Sequence, residues 1–203
     1  MKIAIIGTGN VGGALATQWS KAGHHIQLGV RNPTNFKGKD LLANGNTKVY
    51  SIAEAVNLSE VILVATPPTI VPALIETFGN VEHKVIIDAT NTIGKGADAY
   101  PTAFHAFQAL TDAVVVKCFN TTGFENMLNP NYEKMKLDMF MAGDNEKAKT
   151  IAQQLSADAG FANCYDFGQS DKVELLEKFA LAWINLAIFQ GMGRNIGFKL
   201  LQR

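Results

Sequence analysis

Short apolar runs recur along the chain with almost no alternation of polar residues inside them. They lie at Lys2–Ile6, His25–Val30 and residues 48–50, 61–65, 84–88, 113–118 and 137–142, with a weaker one at 162–165. Runs rich in Val and Ile that are apolar at consecutive positions predict strands buried on both faces of a parallel sheet. Between them, residues 11–22, Ile52–Asn57, 69–78, 97–110 and 146–157 carry helical spacing, and Asp144 or Asn145 is placed to cap the last of these. This alternation predicts an α/β fold: a Rossmann-type, doubly wound, mostly parallel sheet with helices on both faces. Residues 171–203 differ. They read as a long helix, then Gly191-Met192-Gly193, then a shorter helical piece, giving the sheet a C-terminal helical tail. We therefore expect one Rossmann-type sheet domain at 1–170 and a helical extension at 171–203. Too few residues follow Cys118 for a separate substrate domain of about 100 residues.

Three glycines punctuate the first strand-to-helix junction. Gly7 permits a tight turn, Gly9 lets bare backbone approach a pyrophosphate, and Gly12 lets the helix lie close to the strand. The amides near Asn10 and Val11 then open a helix whose dipole favours phosphate. The second run ends on Val30, Arg31 and Asn32, with no acid to receive ribose hydroxyls. A guanidinium at that point suits a 2′-phosphate instead, with Asn32 and Thr8 as neutral donors, so the expected cofactor is NADP(H). Ligands of open α/β sheets sit beyond the strand C-termini. That rule gathers Ala65, Thr66 and Pro67, residues 89–91 ending on Asn91, and residues 120–123 from Asn120 to Gly123 around one crevice. Asp88, at a strand end, reads either as chemistry or as a cap for the loop after it.

Composition narrows the function classes. Apolar residues make up 47% and formal net charge is zero, so a large core is available and no basic stripe suggests nucleic acid. The longest apolar stretch, 179–189, is interrupted by Asn185 and falls short of the roughly 20 residues that span a bilayer. The expected setting is cytoplasmic, away from membranes. Cys118 and Cys164 read as small buried hydrophobes; no metal site is expected. The four histidines are scattered. Lys117 has two readings, a proton donor or a buried stem with a snorkelling amine. No general acid is named. Direct hydride transfer needs none, since the cofactor does the chemistry and the protein positions it.

The opening turn, the "VRNP" after the second strand, "KCFNTTGFENM" and the tail "NLAIFQGMGRNIGFKLL" together resemble the NADP-dependent coenzyme F420 reductase family. Its dinucleotide-binding domain also forms the cytoplasmic part of the STEAP metalloreductases. The resemblance runs over essentially the whole chain. It implies hydride transfer between NADPH and a flat, flavin-like or deazaflavin (F420) ring. By that similarity, Thr8, Asn10 and Val11 hold the pyrophosphate, and Val30, Arg31 and Asn32 face the 2′-phosphate. Thr66 and Pro67 lie beside the ribose, and the Gly123 backbone contacts the carboxamide. Phe119, Asn120 and Met192 line the acceptor pocket, with a second subunit helping to close it, so a homodimer is expected. Two departures stand out. Val30 replaces a Ser common in the family, and Phe119 stands where the deazaflavin users carry His; a phenyl ring can still stack on an isoalloxazine. Two other classes remain open: a non-enzymatic NADP(H)-binding redox-sensing module, and a reductase of small imines or carbonyls. The apolar spacing at 175–188 suits either dimerisation or packing on the chain's own sheet.

Overall fold

The computed structural model describes residues 1–94 and 96–203. Strands β1 (Lys2–Ile6), β2 (His25–Val30), β3 (Thr47–Ser51), β4 (Val61–Val64), β5 (Val85–Asp88) and β6 (Val114–Cys118) run parallel. β7 (Asn131–Tyr132) and β8 (Met135–Lys136) form a small separate hairpin. β9 (Met139–Ala142) joins β6 antiparallel and β10 (Cys164–Asp166) joins β9 parallel, giving one sheet of eight strands ordered β10-β9-β6-β5-β4-β1-β2-β3. The strand order reverses between β1 and β4, which opens a crevice at their C-terminal ends.

Both faces of the sheet are buried, which is why its strands are apolar without alternation. Ile3, Ile5, Leu28, Leu63 and Val116 face one side, beneath helices α1 (Asn10–Lys21) and α6 (Glu146–Asp158). Ala4, Ile6, Ile62, Val64 and Ile86 face the other. There they meet α2 (Ile52–Asn57), α3 (Val71–Ile75), α4 (Ala103–Leu110) and α7 (Val173–Ile184). The short helix α5 (Phe124–Leu128) follows β6 and packs on α1. α2 opens on a capping box in which Ser51 Oγ accepts from the Glu54 amide at 3.3 Å and Glu54 receives the Ser51 amide. Ser51 Oγ also donates to Glu54 Oε2 at 2.6 Å, and that bond, with the one from the Ser51 amide, holds the Glu54 carboxyl below its usual range. Asn145, not Asp144, caps α6, its Oδ1 accepting the Ala148 amide at 3.0 Å.

Three helical expectations fail in part. The segment 69–78 splits into a tight turn at Pro68–Ile70 and the five-residue α3, with Thr77 bonding back to Leu74. The segment 97–110 becomes helical only at Ala103. Pro101 disfavours helix in the residue before it, Asp98 has φ 56°, and Ala97 bridges Tyr100. Beyond Gly193 there is no helix at all. The tail 194–203 runs irregularly and is pinned by side chains: Asn126 Nδ2 and Trp183 Nε1 both donate to the Ile196 carbonyl, at 2.6 and 2.7 Å. Phe198 stacks on Phe179, and buried Asp138 accepts from Leu200 N–H, Lys199 Nζ and Asn163 Nδ2 at 2.9, 2.8 and 2.9 Å. Removing that carboxylate orphans three donors. Asp138→Ala is expected to lose about 2–3 kcal/mol of stability and to speed trypsin cleavage at Lys199; unchanged cleavage would mean the tail is held elsewhere.

Candidate cofactor and acceptor site

The glycine turn has two different reasons for lacking side chains. At Gly7 φ is +103°, and a Cβ there would lie 2.4 Å from the Ala65 carbonyl oxygen. At Gly12 a Cβ would lie 2.0 Å from the Gly7 carbonyl oxygen, so α1 closes directly on the strand. Both are demands of the fold. Gly9 is different: its φ is −80° and a Cβ would meet nothing within 4 Å. The bareness of Gly9 serves no contact within the protein. It stands at the start of α1, which has no side-chain cap and no acid in its first turn, leaving the first amides to an outside acceptor.

A cavity of about 1100 Å³ opens beside this turn, lined by Gly7, Thr8, Gly9, Val30, Arg31 and Asn32 and then by Ala65, Thr66 and Pro67. The loop after β2 folds back so that Phe36 and Lys37 also line it, and no acid does. Lys37 was not legible as a site residue. Asn32 explains its placement: the Asn32 Oδ1 accepts from Thr34 N–H, Thr34 Oγ1 and Asn35 N–H at 3.0, 2.8 and 3.3 Å, turning the chain back. The Thr8 hydroxyl closes the loop by donating to the Lys37 carbonyl. Of the neutral donors expected from the sequence, Thr8 thus spends its hydroxyl proton on the loop, while the Asn32 amide NH₂ stays available. Arg31 and Lys37 are the two cations among its lining residues; Ile52, Ile70 and Leu74 supply its apolar wall. Asn10, Val11 and Gly12 lie just behind the turn, at the helix start.

A smaller adjoining cavity of about 620 Å³ is bounded by Pro67, Pro68, Asn91 and Ile93. Asn91 and Asn120 bond each other: Asn91 Nδ2 donates to the Asn120 carbonyl at 3.0 Å and Asn120 Nδ2 donates to Asn91 Oδ1 at 3.1 Å. Asn120 is 4% exposed and, among the described residues, neither its Oδ1 nor the buried Thr66 hydroxyl has a partner. A dinucleotide fits this combination of side-chain-free turn, uncapped helix start, paired cations and orphaned polar atoms. Gly123 begins α5 under Trp183, whose ring a Cβ would meet at 2.7 Å. Arg194 lies over Phe124 and Trp183 at 5.4 and 5.5 Å and bonds Glu125 at 2.5 Å, and Met192 on the adjoining tail is 59% exposed.

Three sequence expectations need correction. Phe119 is not a stacking platform: φ is 61° there, the ring is fully buried, and it meets Trp19 edge-on at 5.4 Å beneath α1. Lys117 does not snorkel. Its amine is fully buried and donates to Asp88 Oδ2 at 2.9 Å, the Thr90 carbonyl at 2.7 Å and Glu177 Oε1 at 2.6 Å. Asp88 does receive the Thr90 amide, at 2.9 Å, but it is an ion-pair partner as well as a loop cap. Cys118 is buried as expected, but Cys164 is only partly so; their free thiols lie 3.8 Å apart, and burial pushes the Cys118 thiol well up. Among the described residues, no helix is long and apolar enough to cross a membrane.

Residues 2–92 match the model of the family described as NADP oxidoreductase, coenzyme F420-dependent, which bears out the resemblance over the glycine turn, β2 and the cavity. Solved structures share the fold. A candidate F420-dependent NADP-reductase from Arthrobacter sp. FB24 is 22% identical at a TM-score of 0.87, with 100% of each chain covered. A hypothetical protein from Sinorhizobium meliloti is 20% identical at 0.70, covering 100% of this chain and 96% of its own. A reductive aminase from Aspergillus terreus, solved with NADPH and ethyl levulinate, is 19% identical at 0.68 over 94% of this chain. This chain spans only 62% of the aminase.

Proposed function

We propose that this protein is an NADP-dependent oxidoreductase that transfers a hydride between NADP(H) and a flat, flavin-like or deazaflavin acceptor. The observation that carries the reading is Gly9: a position bare for no internal reason, opening an uncapped helix beside a cavity that Arg31 and Lys37 also line. Gly7, Gly9 and Gly12 bring backbone to the pyrophosphate, and the amides of Asn10 and Val11 receive its charge. Arg31 and Lys37, with the Asn32 amide, hold the 2′-phosphate, which a carboxylate at this position would repel. Ala65, Thr66 and Pro67 edge the ribose. Asn91, Asn120 and the Gly123 backbone orient the nicotinamide, the free Asn120 Oδ1 taking a carboxamide N–H. When bound, the nicotinamide would supply the hydride, and the part of the protein would be to position it against the acceptor.

The acceptor then lies against the Trp183–Arg194 cluster and Met192, the latter replacing Phe119 as the apolar wall. A homodimer completes that wall in this reading, since Phe189 and Met192 are 75% and 59% exposed. A second reading, reduction of a small imine or carbonyl, draws on the likeness to the reductive aminase fold. It requires a partner copy to supply the walls that the longer chain provides for itself. The test is a panel of acceptors with NADPH: riboflavin, FMN, a deazaflavin, a ferric complex, and a ketone with an amine. Turnover is expected with a member of the flavin class. Tight NADPH binding with no turnover on any flavin-class acceptor defeats the reading and favours a redox-sensing module.

A further inference from the structure

We propose that the buried Asp88–Lys117–Glu177 triad favours the cationic, oxidised nicotinamide over the neutral, reduced ring at the adjoining end of the cleft. The proposal rests on the NADP(H) reading above. Asp88 and Lys117 are partners across β5 and β6, and Glu177 arrives from α7. All three side chains are buried, at 0%, 0% and 6% exposure. Their hydrogen bonds fix their charges. The ammonium donates to Asp88, Glu177 and the Thr90 carbonyl. Each of the four carboxylate oxygens faces a donor: Lys117 on one oxygen of each acid, the Thr90 amide on the other oxygen of Asp88, and the Thr92 amide on that of Glu177. Neither acid has an acceptor to which a proton of its own could be given, so both are ionised. Two carboxylates and one ammonium leave one net negative charge, and among the described residues no other ion pair engages the three.

That charge stands at the C-terminal edge of the sheet, directly under the loop that lines the smaller cavity. Thr90 and Thr92 are bound to the triad, and Asn91 between them lines the cavity and bonds Asn120. Stability alone does not account for such a cluster, because apolar residues of similar volume commonly serve as well in a core. Chemistry supplies a reason. Loss of a hydride, a proton with its electron pair, to a flavin-like acceptor leaves the ring with one positive charge. A fixed, poorly screened negative charge nearby stabilises that product and the transition state leading to it. The three residues touch neither cofactor nor acceptor; they act through the field and through the loop they hold.

The test compares binding of NADP⁺, NADPH and 2′-phospho-ADP-ribose, which lacks the nicotinamide, to the wild type and to Glu177→Gln and Asp88→Asn. We expect wild type to bind NADP⁺ more tightly than NADPH. In each neutralised variant that preference falls on the order of fivefold, while 2′-phospho-ADP-ribose binds as before. A loss confined to structure would weaken NADP⁺ and NADPH equally. A folded variant with the wild-type preference overturns the proposal. So does a wild type that binds NADPH as tightly as NADP⁺ or more tightly, a result that needs no variant to fold. If wild type binds none of the three ligands, it is the NADP(H) reading that fails.

Discussion

Gly9→Ala is expected to leave the apoprotein as stable as wild type and to weaken its hold on NADPH sharply. The position has ordinary backbone angles and open space where the new methyl would go, so stability changes by no more than about 0.5 kcal/mol. The methyl occupies the ground over which a pyrophosphate must approach the amides of α1, and affinity should fall by about 100-fold or more. Gly12→Ala makes the contrast. Its methyl would sit 2.0 Å from a backbone carbonyl, with the Ile5 side chain at 3.1 Å. The helix must move off the strand, at a cost of about 3 kcal/mol or more. Thermal melts and NADPH titrations on both variants separate the two effects. A Gly9→Ala protein that binds NADPH normally would remove the pyrophosphate from this turn; one that unfolds would show that Gly9 serves the fold after all.

Arg31→Ala is expected to weaken NADPH by about 10- to 100-fold, the equivalent of a charge-assisted contact of about 1.5–3 kcal/mol, and to leave NADH unchanged. Lys37→Ala should move affinity in the same direction by less, because a lysine meets phosphate as a point charge and not as a fork. The combined variant should come close to treating the two cofactors alike. The ratio of NADPH to NADH affinity reads this directly. An unchanged ratio in Arg31→Ala would take Arg31 out of the site, and a larger loss at Lys37 would reverse their ranks.

Much of this architecture is written in local pattern. Strands buried on both faces must be apolar at every position, so β1, β2, β4, β5 and β6 stand out as runs, and the glycine turn is fixed by the junction it occupies. What was not legible depends on where the chain returns in space. Lys37 lines the cavity because the Asn32 side chain turns the loop back on itself, a detail no periodicity carries. Glu177 lies 60 residues from Lys117 and meets it only after α7 lies down on the sheet. Phe119 was misassigned because extending the strand one residue would point its ring outward; the left-handed backbone there turns it under α1 against Trp19. The piece after Gly193 is expected to be helical, whereas Asp138, Trp183 and Asn126 hold it in an irregular path by single bonds to its backbone.

The most direct measurement is calorimetric titration of the purified wild-type protein with NADPH and, separately, with NADH. One site per chain is expected for NADPH, with at least tenfold weaker binding of NADH. Equal affinities would contradict the role given to Arg31 and Lys37, and the absence of heat with both dinucleotides would contradict the cofactor site itself.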